Sequence, residues 1–324
     1  MFFASAVLAD GLRVATFNTE LSRKGPGLLL RDILKGDDPQ VEAILRKLGE
    51  VDADVVALQG IDYDLDLLTL KALTDAMRSL GVDYPFIYAA PPNAGLMTGQ
   101  DLDGDGKLAG PGDAQGYGRF FGQGSMAVIS RYPILKERVI DHSDLLWRNL
   151  PDALLPETDA GPFPGPAAQA IQRLHAHGAW VVPIKHPGLG RVDILTFHAS
   201  PPVFDGPEDR NGRRNHDEIR FWSLFMAGAF GPAPDSRFVL MGDANVDPSR
   251  GDGIAAAIKA LLADTRIQDP LPDRPTVNWT QTGPMRVDYV LPSGDWSVLD
   301  AGVTPPDPVA SRHQLVWIDL KPPP

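Results

Sequence analysis

The chain has 324 residues with no cysteine, 32 glycines, 31 prolines and a formal net charge of −12 from 42 acidic and 30 basic residues. Without thiols there are no disulfide frameworks, thiolate zinc sites, iron–sulfur clusters or cysteine nucleophiles, and the negative balance excludes a general attraction for phosphate backbones or anionic membranes. The glycine and proline content exceeds the usual background of about 12% without reaching disordered composition, so a packed protein with long loops is expected, large enough for one or two domains.

Residues 1–9, MFFASAVLA, are small or apolar and end like a signal-peptidase site, yet lack a basic start and a full apolar segment. Two readings fit: the tail of an export signal, implying a periplasmic or secreted protein, or an ordinary N-terminus, implying a cytoplasmic one. No later run reaches about eighteen uncharged apolar residues, so no transmembrane span is expected.

The apolar, β-branched run Leu12 to Asn18 predicts a strand. Asp38 followed by Pro39 and by Val41, Ile44, Leu45 and Leu48 on one face predicts a capped helix. Val55 to Leu58 reads as a buried strand and Leu67 to Leu80 as a second helix. Residues 90–124 read as a long loop, Ser125 to Ser130 as a strand, and residues 151–166 as irregular chain. Further strands are expected at 178–184, 192–198, 237–241, 285–291 and 315–320, with helices at 215–226 and 254–262. With no polar linker between cores, the expectation is one layered α/β domain over residues 10–324.

Several of these strands end on polar side chains that a buried strand does not need. Asp243 and Asn245 follow the run Val239-Leu240-Met241-Gly242, and strand alternation puts both on one side. A carboxylate there can take a proton from water and a nearby amide can donate to an anionic transition state. A plain strand-closing turn explains the same residues. His198 ends another strand. Asp288 sits inside an apolar strand, where an ionised carboxylate needs a partner, and His313, just before the last strand, supplies one. Asn18 closes the first strand.

In chain order, Asn18 in TFN, Leu58-Gln59-Gly60, His198 in TFHAS, Asp243 and Asn245 in GDAN, Asp288 in RVDYV and His313 in SRH resemble the endonuclease/exonuclease/phosphatase superfamily over roughly residues 12–320. The resemblance implies a four-layered α/β sandwich, two central mixed β-sheets flanked by helices, and metal-dependent hydrolysis of phosphate esters. It also implies roles: Asp243 activates water, His198 and Asn245 contact the phosphoryl group, Asp288 orients His313, and His313 stabilises the pentavalent state. A divalent ion is implied near Asn18 and Asp243, magnesium first, with manganese or calcium as alternatives.

Two residues depart from the pattern. Gly60 stands where the metal-binding glutamate is expected, and Arg312 replaces the aspartate before the last histidine. Glu20 and Asp62 are the nearest replacement carboxylates. Arg312 offers a two-pronged phosphate contact, and Arg213 and Arg214, in the stretch Arg210 to His216, offer an anion-binding rim or else a loop of paired charges. Separately, Asp101, Asp103 and Asp105 with Gly106, Lys107 and the later Asp113 resemble the first half of a calcium loop, giving an expected structural calcium or a plain acidic loop.

The expected activity is hydrolysis of a phosphomonoester or phosphodiester, with a small-molecule or lipid-headgroup substrate preferred over nucleic acid because no basic stripe with interleaved aromatics is present. Trp147, Phe163, Phe204 and Trp222 are candidate pocket aromatics. A nuclease and a noncatalytic phosphate- or partner-binding scaffold are the alternatives.

Overall fold

The computed structural model describes residues 11–322; the segment 1–9, with its export-signal reading, lies outside the described residues. Two mixed sheets lie face to face. The first has six strands in the order β14-β15-β1-β2-β4-β3, formed by β1 (Leu12–Asn18), β2 (Val55–Ile61), β3 (Phe86–Tyr88), β4 (Ser125–Ser130), β14 (Ser297–Val303) and β15 (Val316–Lys321). The second has five, ordered β13-β10-β9-β8-β5, formed by β5 (Ile140–Asp141), β8 (Ala179–His186), β9 (Gly190–His198), β10 (Phe238–Asp243) and β13 (Asp288–Pro292). Two small hairpins, β6 (Glu157–Thr158) with β7 (Gly161–Pro162) and β11 (Val277–Trp279) with β12 (Gly283–Met285), stand apart.

Strand alternation builds the layers. On the first sheet Leu12, Val14, Val55 and Ala57 meet Val192, Ile194, Val239 and Met241 of the second, forming the inter-sheet core. The opposite parity, Ala15, Phe17, Val56 and Leu58, packs under α1 (Leu28–Lys35), α2 (Pro39–Val51) and α3 (Leu68–Ser79). Likewise Leu195, Phe197 and Leu240 pack under α5 (Arg210–Met226) and α6 (Ala256–Leu262), while α4 (Pro166–Ile171) is a short turn on the loop side. Helices, sheet, sheet, helices is the four-layered sandwich implied by the resemblance. No helix among the described residues is long and apolar enough to cross a membrane.

Most predicted elements fall in place, and the exceptions have local causes. Helix α1 has three consecutive leucines and begins after Gly27 with no side-chain cap, so neither periodicity nor a cap residue announces it. β14 is an edge strand with no buried residue, lacking the apolar run that marks a strand. The predicted strand 285–291 is split: β12 ends at Met285 and β13 begins at Asp288, so Asp288 opens its strand instead of sitting within it. A hairpin interrupts the expected irregular chain at 151–166, and α5 starts at Arg210, five residues early. The loop over 90–124 is long as expected, with one helical turn at Pro111–Asp113 and isolated bridges.

Gly242, next to Asp243, is required by close approach. A Cβ there would lie 2.1 Å from the Phe197 carbonyl oxygen on the neighbouring strand. Gly242→Ala should cost about 1–3 kcal/mol, the usual range for forced overpacking, read as a lower denaturation midpoint in urea; an unchanged midpoint contradicts the close approach of β9 and β10.

Candidate active site

Three polar residues lie in one row across the second sheet. β10 runs between β9 and β13, and the register pairs Asp243 with His198 on one side and with Asp288 on the other. Each continues the parity that faces the first sheet, after Ile194, Met241 and before Val290 respectively. Asn18 continues the same inward parity from β1, and its Nδ2 donates to Asp243 Oδ2 across the gap at 2.8 Å. The apolar inter-sheet core thus gives way to a polar end made from four strands.

His313 joins from the loop before β15. Its backbone bridges Val277 of β11, its amide bonds the Ser311 hydroxyl, and that hydroxyl donates to the Asn18 carbonyl at 2.8 Å. Nδ1 lies 3.1 and 3.0 Å from the two Asp288 oxygens and 3.8 Å from Asp243 Oδ2. Asp288 is fixed in turn, since Thr276 Oγ1 accepts its amide hydrogen. All of these side chains are buried.

Burial and proximity set the charges. Burial, then the Asp288 charge, raises the Asp243 carboxyl to about 7, against the opposing pull of His313, Asn18 and the Asn245 amide. Burial disfavours the His313 imidazolium, yet the two carboxylates and the Asp288 hydrogen bond outweigh it and raise the ring to about 9. His198, 3.6 Å from Asp243 through Nε2, is lowered well below its ordinary value by burial and by the His177 and His313 rings. Near neutral pH the row therefore holds a carboxyl close to its midpoint, an imidazolium and a neutral imidazole.

His177 packs against the row and is announced by no sequence motif. It stacks on His198 at 3.9 Å and 7° between ring planes, with Nδ1 3.0 Å from the His198 carbonyl oxygen. It belongs to the turn before β8, outside any strand-end motif, so only the three-dimensional pairing of β8 with β9 reveals it.

Asn245 sits at the same edge for a different reason from the one expected. β10 stops at Asp243, and Asn245 adopts a left-handed φ of 52°, its amide bonding Asp243 Oδ1 at 2.7 Å and its Nδ2 bonding the Ala199 carbonyl at 2.9 Å. A turn places it, not strand alternation.

The expected replacement carboxylates have separate fates. Asp62 spends its oxygens on the backbone amides of Arg23 and Gly124, at 2.9 and 3.0 Å, and clamps two loops; it joins neither group of potential metal ligands among the described residues. Glu20 comes close. It turns back over Gly60 with a left-handed φ of 49°, and a Cβ on Gly60 would lie 2.5 Å from Asn18 Oδ1 and 2.8 Å from the Glu20 amide nitrogen. The glycine makes room for the turn that delivers Glu20. Its carboxylate is held by Arg312, with Oε2 accepting the Arg312 amide at 2.8 Å, Oε1 accepting Nε at 2.8 Å and also Nη2.

The arginine rim is corrected by the structure. Arg214 is buried and donates to the carbonyls of Leu174, Arg173 and Gln115, tying the long loop to α5 instead of facing an anion. Arg213 bonds the Glu208 carbonyl at 3.1 Å as a loop brace. Arg312 remains at the site, its guanidinium carbon 4.6 Å over the Trp279 ring. Trp147 and Trp222 are core residues, not pocket walls.

Among the described residues, two groups of side chains are compact enough to hold a metal ion, with one ligand atom from each residue within 4.8 Å of the others: Asp243, Asp288 and His313, and separately Asp101, Asp103 and Asp105. The first is a candidate divalent-metal-binding cluster at the row itself; while His313 is cationic, the two carboxylates are the ligands, hard oxygens suited to magnesium. In the second, backbone amides of Gly104 and Gly106 hold Asp101, Lys107 Nζ bonds Asp105 at 2.9 Å, and Asp113 caps the amides of Leu102 and Gly110 from a buried position. Asp113 is thereby a brace of the loop and stands outside that three-residue cluster.

The elevated His313 ring is directly measurable. Imidazole resonances should show His313 titrating near pH 9 in the wild type and well below that in Asp288→Asn, because removing the carboxylate removes the main group favouring the cation; a ring titrating near its ordinary value in the wild type contradicts the charge arrangement.

Comparison with known proteins agrees with the geometry. No curated protein sequence matches the chain. Among solved structures, an endonuclease/exonuclease/phosphatase from Beutenbergia cavernae has 18% identity and a TM-score of 0.59, covering 97% of this chain and 72% of that one. Sphingomyelinase C from Streptomyces griseocarneus has 18% identity and a TM-score of 0.53, covering 95% and 99%. A magnesium-bound double mutant of beta toxin from Staphylococcus aureus has 13% identity and a TM-score of 0.53, covering 95% and 99%. At these identities the likeness is one of fold. The sequence profile of the Endonuclease/Exonuclease/phosphatase family matches residues 15–313, spanning Asn18 to His313, and the chain therefore belongs to that family, whose reaction class is metal-dependent phosphoester hydrolysis.

Proposed function

We propose that the row formed by His198, Asp243, Asp288 and His313 hydrolyses a phosphomonoester or phosphodiester, and that the preferred substrate is a small molecule or a lipid headgroup. The observation that carries the reading is the row itself, in which Asp243 pairs in register with His198 and Asp288 and is bonded across the gap by Asn18; burial lifts its carboxyl to about 7. A general base works best when its pKa lies near the working pH. Asp243 accepts the proton of the attacking water. His313, kept cationic and oriented by Asp288, stabilises the charge that grows on the phosphoryl oxygens. His198 and Asn245 border the same position and supply polar contact to the phosphoryl group. Asn18, Glu20 and Asp243 are the residues that would hold a divalent cation, magnesium before manganese or calcium, which when bound polarises phosphoryl oxygens and offsets their charge.

The surroundings support a compact or lipid-borne phosphate over a nucleic acid. Arg210 and Arg214 are spent on loop and helix carbonyls and Arg213 bonds one through Nε, so this stretch does not offer the three free guanidinium groups that a phosphate-backbone rim would use. The loops that follow β2 and β9, and the long loop before β4, expose apolar side chains: Leu65 at 82% and Phe204 at 90%, with Tyr117 and Phe121. Phe121 packs edge-on against Tyr63 at 6.0 Å, next to the Asp62 clamp. A zwitterionic lipid headgroup suits that rim and the acidic chain together.

The test is turnover with magnesium, manganese and calcium on a phosphomonoester, a phosphodiester, phosphocholine lipid and single- and double-stranded DNA. Asp243→Ala and His313→Ala should each lower kcat by about 10²–10⁴-fold, the range for a positioned acid or base, with cooperative melting retained. Turnover that survives both substitutions contradicts the assignments, and DNA as the best substrate moves the reading to a nuclease.

A further inference from the structure

Glu20, named above as a cation ligand, is paired in the structure with Arg312, and the pair joins two groups with opposite ligands. A carboxylate linked to the Asn18 carbonyl through Ser311 Oγ is a ligand for a hard cation; a guanidinium fork beside His313 is a ligand for phosphate oxygens. In the structure each occupies the other. Oε1 of Glu20 accepts Arg312 Nε and Nη2, Oε2 accepts the Arg312 amide, and Ser311 Oγ lies 3.2 Å from Oε2. The Arg312 side chain is 64% exposed and that of Glu20 22%, so the guanidinium is open to a ligand arriving from solvent while it holds the more sheltered carboxylate. Trp279 supports the guanidinium face and also meets His313 edge-on at 5.4 Å, keeping Arg312 beside the imidazolium.

Gly60 shows that the Glu20 turn is built rather than incidental. Both the left-handed φ of 71° at Gly60 and the missing Cβ are needed for residues 18–20 to close over it. The space that a side chain at position 60 would need is filled by Asn18 Oδ1 and the Glu20 backbone.

We propose that Glu20 and Arg312 form a latch opened by phosphate: the guanidinium exchanges Glu20 for two non-bridging phosphate oxygens, and the released Glu20 carboxylate becomes a divalent-cation ligand with Asn18 and Asp243. The proposal rests on the phosphoesterase reading of the same site. Cation and phosphate then bind cooperatively, and by reciprocity each tightens the other by the same factor. The ligand class is any phosphate with two non-bridging oxygens, monoester or diester.

Titration calorimetry on the full chain tests the latch with manganese alone, inorganic phosphate alone, and each in the presence of the other. Each ligand should tighten the other by about fivefold or more, the lower end of ordinary coupling. The variants should move in crossed directions. Arg312→Gln tightens manganese in the absence of phosphate and weakens phosphate, whereas Glu20→Gln tightens phosphate and weakens manganese; both lose the coupling. If Arg312→Gln fails to fold, Arg312→Lys, which keeps the charge but lacks the planar fork, carries the same expectation to a smaller extent. Independent binding in the wild type, or variants that weaken both ligands, overturns the latch. Since binding is read and not turnover, coupling without turnover removes the hydrolase reading and keeps the latch, and turnover without coupling removes the latch alone.

Discussion

Two carboxylates and one imidazolium, taken out of bulk water at the open end of the inter-sheet core, are the constraint on which the site depends. Leaving such charges unpaired costs several kcal/mol each, so the surrounding structure is spent on pairing them. Asp288 faces His313 with both oxygens. Asp243 takes Asn18 from the opposite sheet and the Asn245 amide from its own turn. Because the Asn18 contact crosses the gap, the two sheets must keep their spacing for the charges to be satisfied. Packing of Val14, Ala57, Met241 and Val290 between the sheets therefore serves the chemistry as well as stability.

The legible part of the site is the part written by strand parity. Asn18, His198 and Asp243 each close a strand whose inward residues are apolar, so period-two alternation gave both their face and their edge. His313 was legible through its partner, since a carboxylate at position 288 needs one. Where parity does not act, the sequence was silent or misleading. Asn245 reaches the edge through a left-handed turn. His177 arrives by pairing of adjacent strands, and Arg214 looks like a rim residue until its guanidinium is seen among buried carbonyls. A guanidinium can be read as an anion ligand from sequence only if its alternatives, backbone carbonyls and carboxylates, are known to be elsewhere.

The two departures from the family pattern prove to be connected. Gly60 removes a side chain and admits the Glu20 turn, while Arg312 introduces a cation and meets Glu20. A carboxylate lost at one position and a guanidinium gained at another thus fall on the same contact. The net charge of −12 says little about this edge: over a few ångströms the potential is set by His313, Arg312 and three carboxylates, and the rest of the acidic surface is screened by salt.

Anomalous diffraction from crystals grown with manganese and inorganic phosphate tests the central claim most directly, because it locates cation and anion independently of turnover. The account predicts a strong anomalous peak against Asn18, Glu20 and Asp243, with phosphate density between it and the His313 and Arg312 side chains. A cation bound away from that edge, or phosphate seated elsewhere while the row stays closed on itself, would contradict it.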